Sequence, residues 1–272
     1  MTTRYGLRRT PEEYERLRAQ ARAWEDATAR LLDRVGLSEG MSCLDAGCGP
    51  GETMRLMAER VGPAGRVLGL DADGALGEQA QEMLRDAGHG QCSVTAYEIG
   101  GETLPGGTYD LVFARLLLFH LPERTEVLAR LWEAVAPGGT LLVQDYDLSV
   151  VSTVPESLVV EGFTGLMTRI FEGIGCDVRV GTRLPALFAE AGIGTPDGTE
   201  IAGMVATLGP ARMMLEAVVR GALPAAVARG VVEPEGAERV LARLAQEAAE
   251  HPDRPLLPPL LVGAWKTKAP TP

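Results

Sequence analysis

Two rhythms of apolar and polar positions alternate along the first half of this chain. Short apolar runs recur at 41–46, 66–71, 92–97, 109–114 and 140–144, and between most of them apolar residues return every three or four positions. Strand, helix, strand at this interval predicts an α/β fold with a parallel, doubly wound sheet, whose sites stand at the carboxyl ends of the strands. Before the first run, Thr10-Pro11-Glu12-Glu13 is a helix start, with Thr as cap, Pro at the first helical position and Glu three residues after the cap. Tyr14, Leu17, Ala21, Trp24, Ala27, Leu31 and Leu32 carry one long helix to about Val35 with one buried face. Arg16, Gln20 and Arg22 project elsewhere, either as a solvated face or as a cover over a ligand.

The predicted elements that follow are a strand over Met41 to Ala46, a helix over Glu52 to Val61, a strand over Arg66 to Asp71 and a helix capped by Asp73 to about Ala87. Strands at Cys92 to Tyr97 and Tyr109 to Ala114, a helix over Arg124 to Ala136, a turn at Pro137-Gly138-Gly139 and a strand from Thr140 to Gln144 complete the regular part. From Leu148 the rhythm changes. Helices are expected over Pro155 to Gly173 and Arg183 to Ala191, strands over Thr199 to Leu208 and Pro258 to Lys266. A helical insert at 210–249, carrying Met213, Met214, Leu215, Val218 and Val219, is longer than a connection needs. Such inserts are often lids, although these apolar residues also suit ordinary packing. No repeat or flexible linker divides the chain, so residues 1–272 read as one domain: a helical cover at 1–36, a core at 37–147, and a lid at 148–180 and 209–250.

Composition narrows the partners. With 272 residues and 46% hydrophobic content the chain can bury a full core, and a formal charge of −11 argues against nucleic acid and for a small-molecule partner. Lys266 and Lys268 are its only lysines; arginine, alanine and glycine abundance hints at a GC-rich bacterial genome. Cys43, Cys48, Cys92 and Cys176 form no CxxC pair and read as reduced core thiols. His89, His120 and His251 lack metal-ligand spacing, so no metal site is expected. Met1 to Tyr5 has no apolar signal core and no run reaches membrane length, which makes the expected location cytoplasmic. A monomer or homodimer is expected, with no residue pattern that decides between them.

Candidate chemistry gathers at Met41 to Gly51, where an apolar run stops at Gly47, Gly49 and Gly51 and a helix begins at Glu52. Glycines there let a ligand touch the backbone, and the helix points free amides at it; alternatively they only make a tight turn. Asp71 ends the next strand about 20 residues on, where a nucleotide-binding unit places an acid for ribose hydroxyls. A dinucleotide oxidoreductase needs glycine at the sixth position of this motif, and here that position is Glu52.

Leu44-Asp45-Ala46-Gly47-Cys48-Gly49-Pro50-Gly51, Asp71, Tyr109-Asp110-Leu111-Val112 and Ala136-Pro137-Gly138-Gly139 follow one another at matching intervals. In these motifs the chain resembles the class I S-adenosylmethionine-dependent methyltransferases over about residues 10–147. The resemblance implies a Rossmann-like seven-stranded sheet of order 3-2-1-4-5-7-6 with strand seven antiparallel, and S-adenosyl-L-methionine as cofactor over strands one to four. It implies that Asp45 orients the methionine portion, Gly47 and Gly49 lie against the cofactor, and Asp71 binds ribose with Ala72 beside it. Glu98 and Ile99 stand where the family contacts adenine, with Glu in place of the usual Asp. Ala114 and Arg115 stand where a backbone carbonyl holds the methionine amino group, and Arg115 has the reach to meet a carboxylate. Gln20 of the cover is counted with these cofactor residues.

Methyl transfer from a sulfonium leaves a neutral thioether and asks mainly for positioning and water exclusion. His120 on the rim is the candidate base, or else a residue that only bonds backbone. Asp145, Tyr146 and Asp147 either orient an acceptor or cap the next segment. The function expected is methyl transfer to an O, N or C atom of a small, largely apolar acceptor in bacterial secondary metabolism. The alternatives are a binding or regulatory module, or a cofactor-assisted enzyme, on the same scaffold.

Overall fold

The computed structural model describes residues 10–100 and 104–271, so the first nine residues of the predicted cover, with the reading of Met1 to Tyr5, lie outside the described residues. Thr10 caps the first helix as expected, its Oγ1 accepting from Glu13 N at 3.3 Å. The single long helix is corrected to two, α1 (Pro11–Ala23) and α2 (Glu25–Arg34). Trp24 between them leaves helical geometry, with ψ at 10°, and its buried indole donates to Tyr146 Oη at 2.6 Å.

The regular part then runs β1 (Ser42–Ala46), α3 (Glu52–Val61), β2 (Arg66–Asp71), α4 (Gly74–Asp86), β3 (Cys92–Ala96), β4 (Tyr109–Arg115), a 3-10 turn (Leu118–His120), α5 (Arg124–Glu133) and β5 (Val135–Asp147). Strand β5 begins earlier than predicted. Val135 pairs with Tyr109 and Thr140 with Leu111, so the expected glycine turn is a bulge inside the strand. After β5 come β6 (Ser152–Thr153), α6 (Leu158–Gly173), α7 (Val180–Glu190), β7 (Gly198–Ala202), β8 (Ala206–Thr207), α8 (Leu208–Ala228), α9 (Pro234–Glu250), β9 (Pro255–Leu257) and β10 (Leu260–Thr267). Helix α6 starts at Leu158, because Ser157 rather than the region of Pro155 supplies the cap. The strand predicted over Thr199 to Leu208 divides into β7 and the short β8, and the insert divides into α8 and α9.

The main sheet has the order β3-β2-β1-β4-β5-β10-β7, with β10 antiparallel to both neighbours. Counting only its own strands, this is the implied 3-2-1-4-5-7-6. Both faces are covered, as near-continuous apolar strands require. Cys43, Leu111, Phe113 and Leu142 pack on one face against Leu31 and Leu32 of α2 and Met54 and Met57 of α3. The alternate residues Leu44, Val112, Leu141 and Val143 pack on the other with Leu128 of α5 and Leu184 of α7. A second sheet, β6-β9-β8, was not foreseen; it ties the segments leading into α6, α8 and β10. Helices α6, α8 and α9 pack on one another above it, and α8 also touches α1. All four cysteines are buried and unpaired, and burial pushes the Cys43 and Cys176 thiols up to about 12. No helix among the described residues is long and apolar enough to cross a membrane.

Candidate active site

At the carboxyl ends of β1, β2 and β4 a cavity of about 610 Å³ opens, covered by α1, α6 and α8. That volume suits a small molecule, for which pockets of about 300–1,000 Å³ are usual. The glycine turn forms part of its floor. Gly47 N and Cys48 N donate to Leu70 O at 2.8 and 3.0 Å, which presses the turn against β2. Gly47, Gly49 and Gly51 have φ of 76°, 51° and 82°, the left-handed region where a side chain is strained. A Cβ at Gly51 would meet Ala80 Cβ at 3.0 Å, so this glycine also lets α3 and α4 approach. At Gly49 a Cβ would meet nothing within 4 Å, which leaves its backbone open to the cavity.

Asp71 is fixed by two backbone donors, Gly49 N to Oδ2 and Asp73 N to Oδ1, each at 2.8 Å. A carboxylate oxygen can accept more than one hydrogen bond, which suits a ribose hydroxyl at this position. Asp73 caps α4 through Leu76 N and also accepts from Tyr14 Oη at 2.8 Å, which fastens α1 over this end. Ala72, Glu98 and Ile99 line the same end of the cavity.

Asp45 is 1% exposed and its Oδ2 has no hydrogen-bond partner. Burial pushes its carboxyl up to about 7, Arg115 opposes that rise and Asp71 adds to it. Arg115 lies on the cavity wall with Nη1 donating to Thr28 Oγ1 at 3.0 Å. Its guanidinium affinity for the proton is lowered by burial, with Asp45 the foremost opposing charge. A buried carboxylate with an orphan oxygen asks for a cation, and a guanidinium without a carboxylate partner asks for an anion. The amino-acid end of S-adenosylmethionine brings both charges on one carbon, so the residues present fit that group. Ala114, placed beside Arg115 in the predicted set, is buried in register with Ala46 and Val143 and does not line the cavity; Arg115 and Leu116 do. Leu116 has φ of 55°, a strained conformation for a branched side chain at the strand's end.

The rim behaves differently from expectation at several positions. His120 lines the cavity, but burial, with Arg16 and Arg124 nearby, pushes its imidazole down to about 3. The candidate base is thus a buried imidazole that is hard to protonate, and its Nδ1 sits 3.9 Å from Cys176 Sγ. Asp145 does not face the cavity. It accepts from Phe119 N at 3.1 Å and from Tyr146 N at 2.9 Å, which holds the 3-10 turn in place, and burial pushes it up to about 7. Asp147 accepts from Ser149 N and Thr182 Oγ1, a local cap. Of the three, only Tyr146 lines the cavity. Gln20 and Arg16 line it too, joined by a 2.6 Å bond from Arg16 Nη1 to Gln20 Oε1, whereas Arg22 is exposed and weakly paired with Glu52. Glu52 itself also pairs with Arg55 and stays out of the cavity. Tyr14 and Trp24 were legible only as apolar positions of a cover helix; their polar tips, which latch it, left no signal in the spacing.

Residues 43–139 match the family described as "Methyltransferase domain". A trans-aconitate 2-methyltransferase of Paracidovorax citrulli is 36% identical over 127 residues, 45% of this chain and 47% of that one. The chain spans about half the length of the curated relatives it matches. Among solved structures, a candidate methyltransferase of Bacillus halodurans C-125 aligns at TM-score 0.62 and 14% identity, covering 90% of this chain and 99% of that one. Haemonchus contortus phosphoethanolamine N-methyltransferase 2 in complex with S-adenosyl-L-methionine aligns at TM-score 0.53 and 16% identity, covering 90% and 53%. These two show a shared fold.

Proposed function

We propose that this chain, a member of the class I S-adenosylmethionine-dependent methyltransferases through its domain at residues 43–139, transfers a methyl group to an O, N or C atom of a small, largely apolar acceptor. The observation that supports this reading is a cavity with two unlike ends. One end gathers Asp45, Gly49, Asp71, Glu98 and Arg115, and the other is walled by Phe119, Met167, Phe171, Met214 and Leu215. S-adenosylmethionine, when bound, supplies a methyl group activated by its sulfonium. Asp45 and Arg115 would hold the methionine end, Asp71 the ribose, and Glu98 with Ile99 the adenine.

The chain's own part in the reaction is to position and to exclude water. Tyr14 and Asp73 close α1 over the ribose end, while Phe171 and Met167 of α6 and Met214 and Leu215 of α8 roof the acceptor end. The segments 148–180 and 209–250 thus serve as an acceptor-site lid. His120 is the rim group able to take a proton from an acceptor that loses one late, although a neutral imidazole this hard to protonate is a weak base.

Relatives named for trans-aconitate suggest that compound as one acceptor to try. Among the described residues, however, the cavity's arginines are Arg16 and Arg115, and Arg16 is already paired with Glu13 at 2.7 Å. A tricarboxylate carries more charge than these two match, so an apolar acceptor with few anionic groups fits better. The abundance of arginine, alanine and glycine suits a bacterial origin. The test is incubation with methyl-labelled S-adenosylmethionine and an acceptor panel spanning apolar phenols, amines and trans-aconitate. Label should move to an apolar acceptor with equal formation of S-adenosylhomocysteine. Transfer to trans-aconitate alone would contradict the acceptor class, and no transfer to any acceptor despite cofactor binding would favour a binding module.

A further inference from the structure

We propose that Tyr146 and Arg115 together receive a carboxylate, and that it is the one on the methionine end of the cofactor; the inference rests on the methyl-donor reading above. The phenol of Tyr146 is held from two sides. Its oxygen accepts from Trp24 Nε1 at 2.6 Å and from Gln20 Nε2 at 3.0 Å. An indole N–H can only donate. The orientation of the Gln20 amide is fixed as well, because its Oε1 accepts from Arg16 Nη1 at 2.6 Å and a guanidinium offers no acceptor. The amide NH2 must therefore face Tyr146.

Both lone pairs of the phenol oxygen are thereby taken. Its proton has no acceptor among the described residues, and Tyr146 lines the cavity, so the cavity is where that proton is directed. Two donors, Gln20 of α1 and Trp24 at its carboxyl end, have turned Tyr146 into an obligatory donor toward a ligand.

Arg115 stands beside it with capacity to spare. Among the described residues its one hydrogen-bond partner is Thr28 Oγ1, whose own proton goes to Gln144 Oε1 at 2.8 Å, and no carboxylate lies within ion-pair distance. A guanidinium and a phenol O–H with no anion between them form the complement of a carboxylate's two oxygens. The choice of carboxylate follows from Asp45. Ala46 pairs with Ala114 and Arg115 with Gln144, so Asp45, Arg115 and Tyr146 stand near the carboxyl ends of three adjacent strands, β1, β4 and β5, and all three line the cavity. With Asp45 taking the α-ammonium, the carboxylate on the same carbon falls among the neighbours of Asp45, and these two donors are there to meet it.

Calorimetry with S-adenosylhomocysteine and with its decarboxylated analogue tests this on the wild type, Tyr146→Phe and Trp24→Phe. Tyr146→Phe deletes only the hydroxyl. It should weaken S-adenosylhomocysteine by about tenfold or more, the worth of a hydrogen bond to a charged group, and leave the analogue's affinity unchanged. Trp24→Phe removes one donor to the phenol but keeps its proton, and should lose no more than about threefold. Unchanged affinity of Tyr146→Phe for S-adenosylhomocysteine would overturn the proposal. Equal losses for both ligands would also overturn it, since they would mean a loosened cover rather than a lost carboxylate contact. Thermal midpoints of the variants confirm folding. A folded wild type that binds neither ligand would overturn the methyl-donor reading itself.

Discussion

At the scale of single residues, function and stability pull in opposite directions at Asp45. Its carboxyl, pushed up to about 7 by burial, stays protonated in the fold while the unfolded chain releases that proton from about pH 4. The unfolded state then binds fewer protons, so this residue's contribution to stability falls as pH rises from about 4 to about 7. Asp45→Asn should therefore be more stable than the wild type at pH 8, on the order of a few kcal/mol, with the difference vanishing near about pH 4. Urea unfolding at several pH values measures it; a variant less stable at pH 8 would contradict the account. His120 gives a second prediction. An imidazole that titrates at about 3 contributes no limb to a rate profile between about pH 5 and 8. A limb near about pH 6.5 that disappears in His120→Ala would show a far more basic histidine than this burial allows. Asp45, Gly49 and Asp71 were legible in the sequence because glycines and an acid at fixed intervals leave a linear mark. The proton donated by Tyr146 was not, because it depends on Trp24 and Gln20 more than a hundred residues earlier in the chain.

The elements divide in the same way. Helix α3 and strand β2 fall on their predicted bounds, since a glycine stop before Glu52 and an apolar run into Asp71 are local signals. The break at Trp24, the division of the insert into α8 and α9 and the small sheet β6-β9-β8 are set by partners distant in sequence, which spacing does not report. Helix α1 is the element on which closure of the site depends. It is a polar helix fastened at one end by Tyr14 to Asp73 and at the other by Gln20 and Trp24 to Tyr146. Tyr14→Phe removes one fastening and should cost about 0.5–1.5 kcal/mol, released locally. Hydrogen exchange should accelerate up to about tenfold across residues 11–23 while β1 and β4 are unchanged. Uniform acceleration over the whole chain would mean that α1 unfolds only with the core.

For the whole molecule, the sheet order and the acceptor region differ in how they arise. Strand-helix alternation by itself predicts a parallel, doubly wound sheet, and the order of the main sheet with its antiparallel β10 was anticipated only through the family resemblance of the motifs. The acceptor end is assembled from α6, α8 and the β9–β10 connection, whose apolar residues look like any core until their neighbours are known. The central claim is that the end built from Asp45, Gly49 and Asp71 binds the methyl donor. Isothermal calorimetry with S-adenosyl-L-methionine on the wild type and Asp71→Ala tests it most directly. One site per chain is predicted, weakened by about 1.5–3 kcal/mol in Asp71→Ala because hydrogen bonds to a charged carboxylate are lost. A folded protein that gives no binding heat at any temperature tried, or an Asp71→Ala variant that binds as tightly as the wild type, would contradict it.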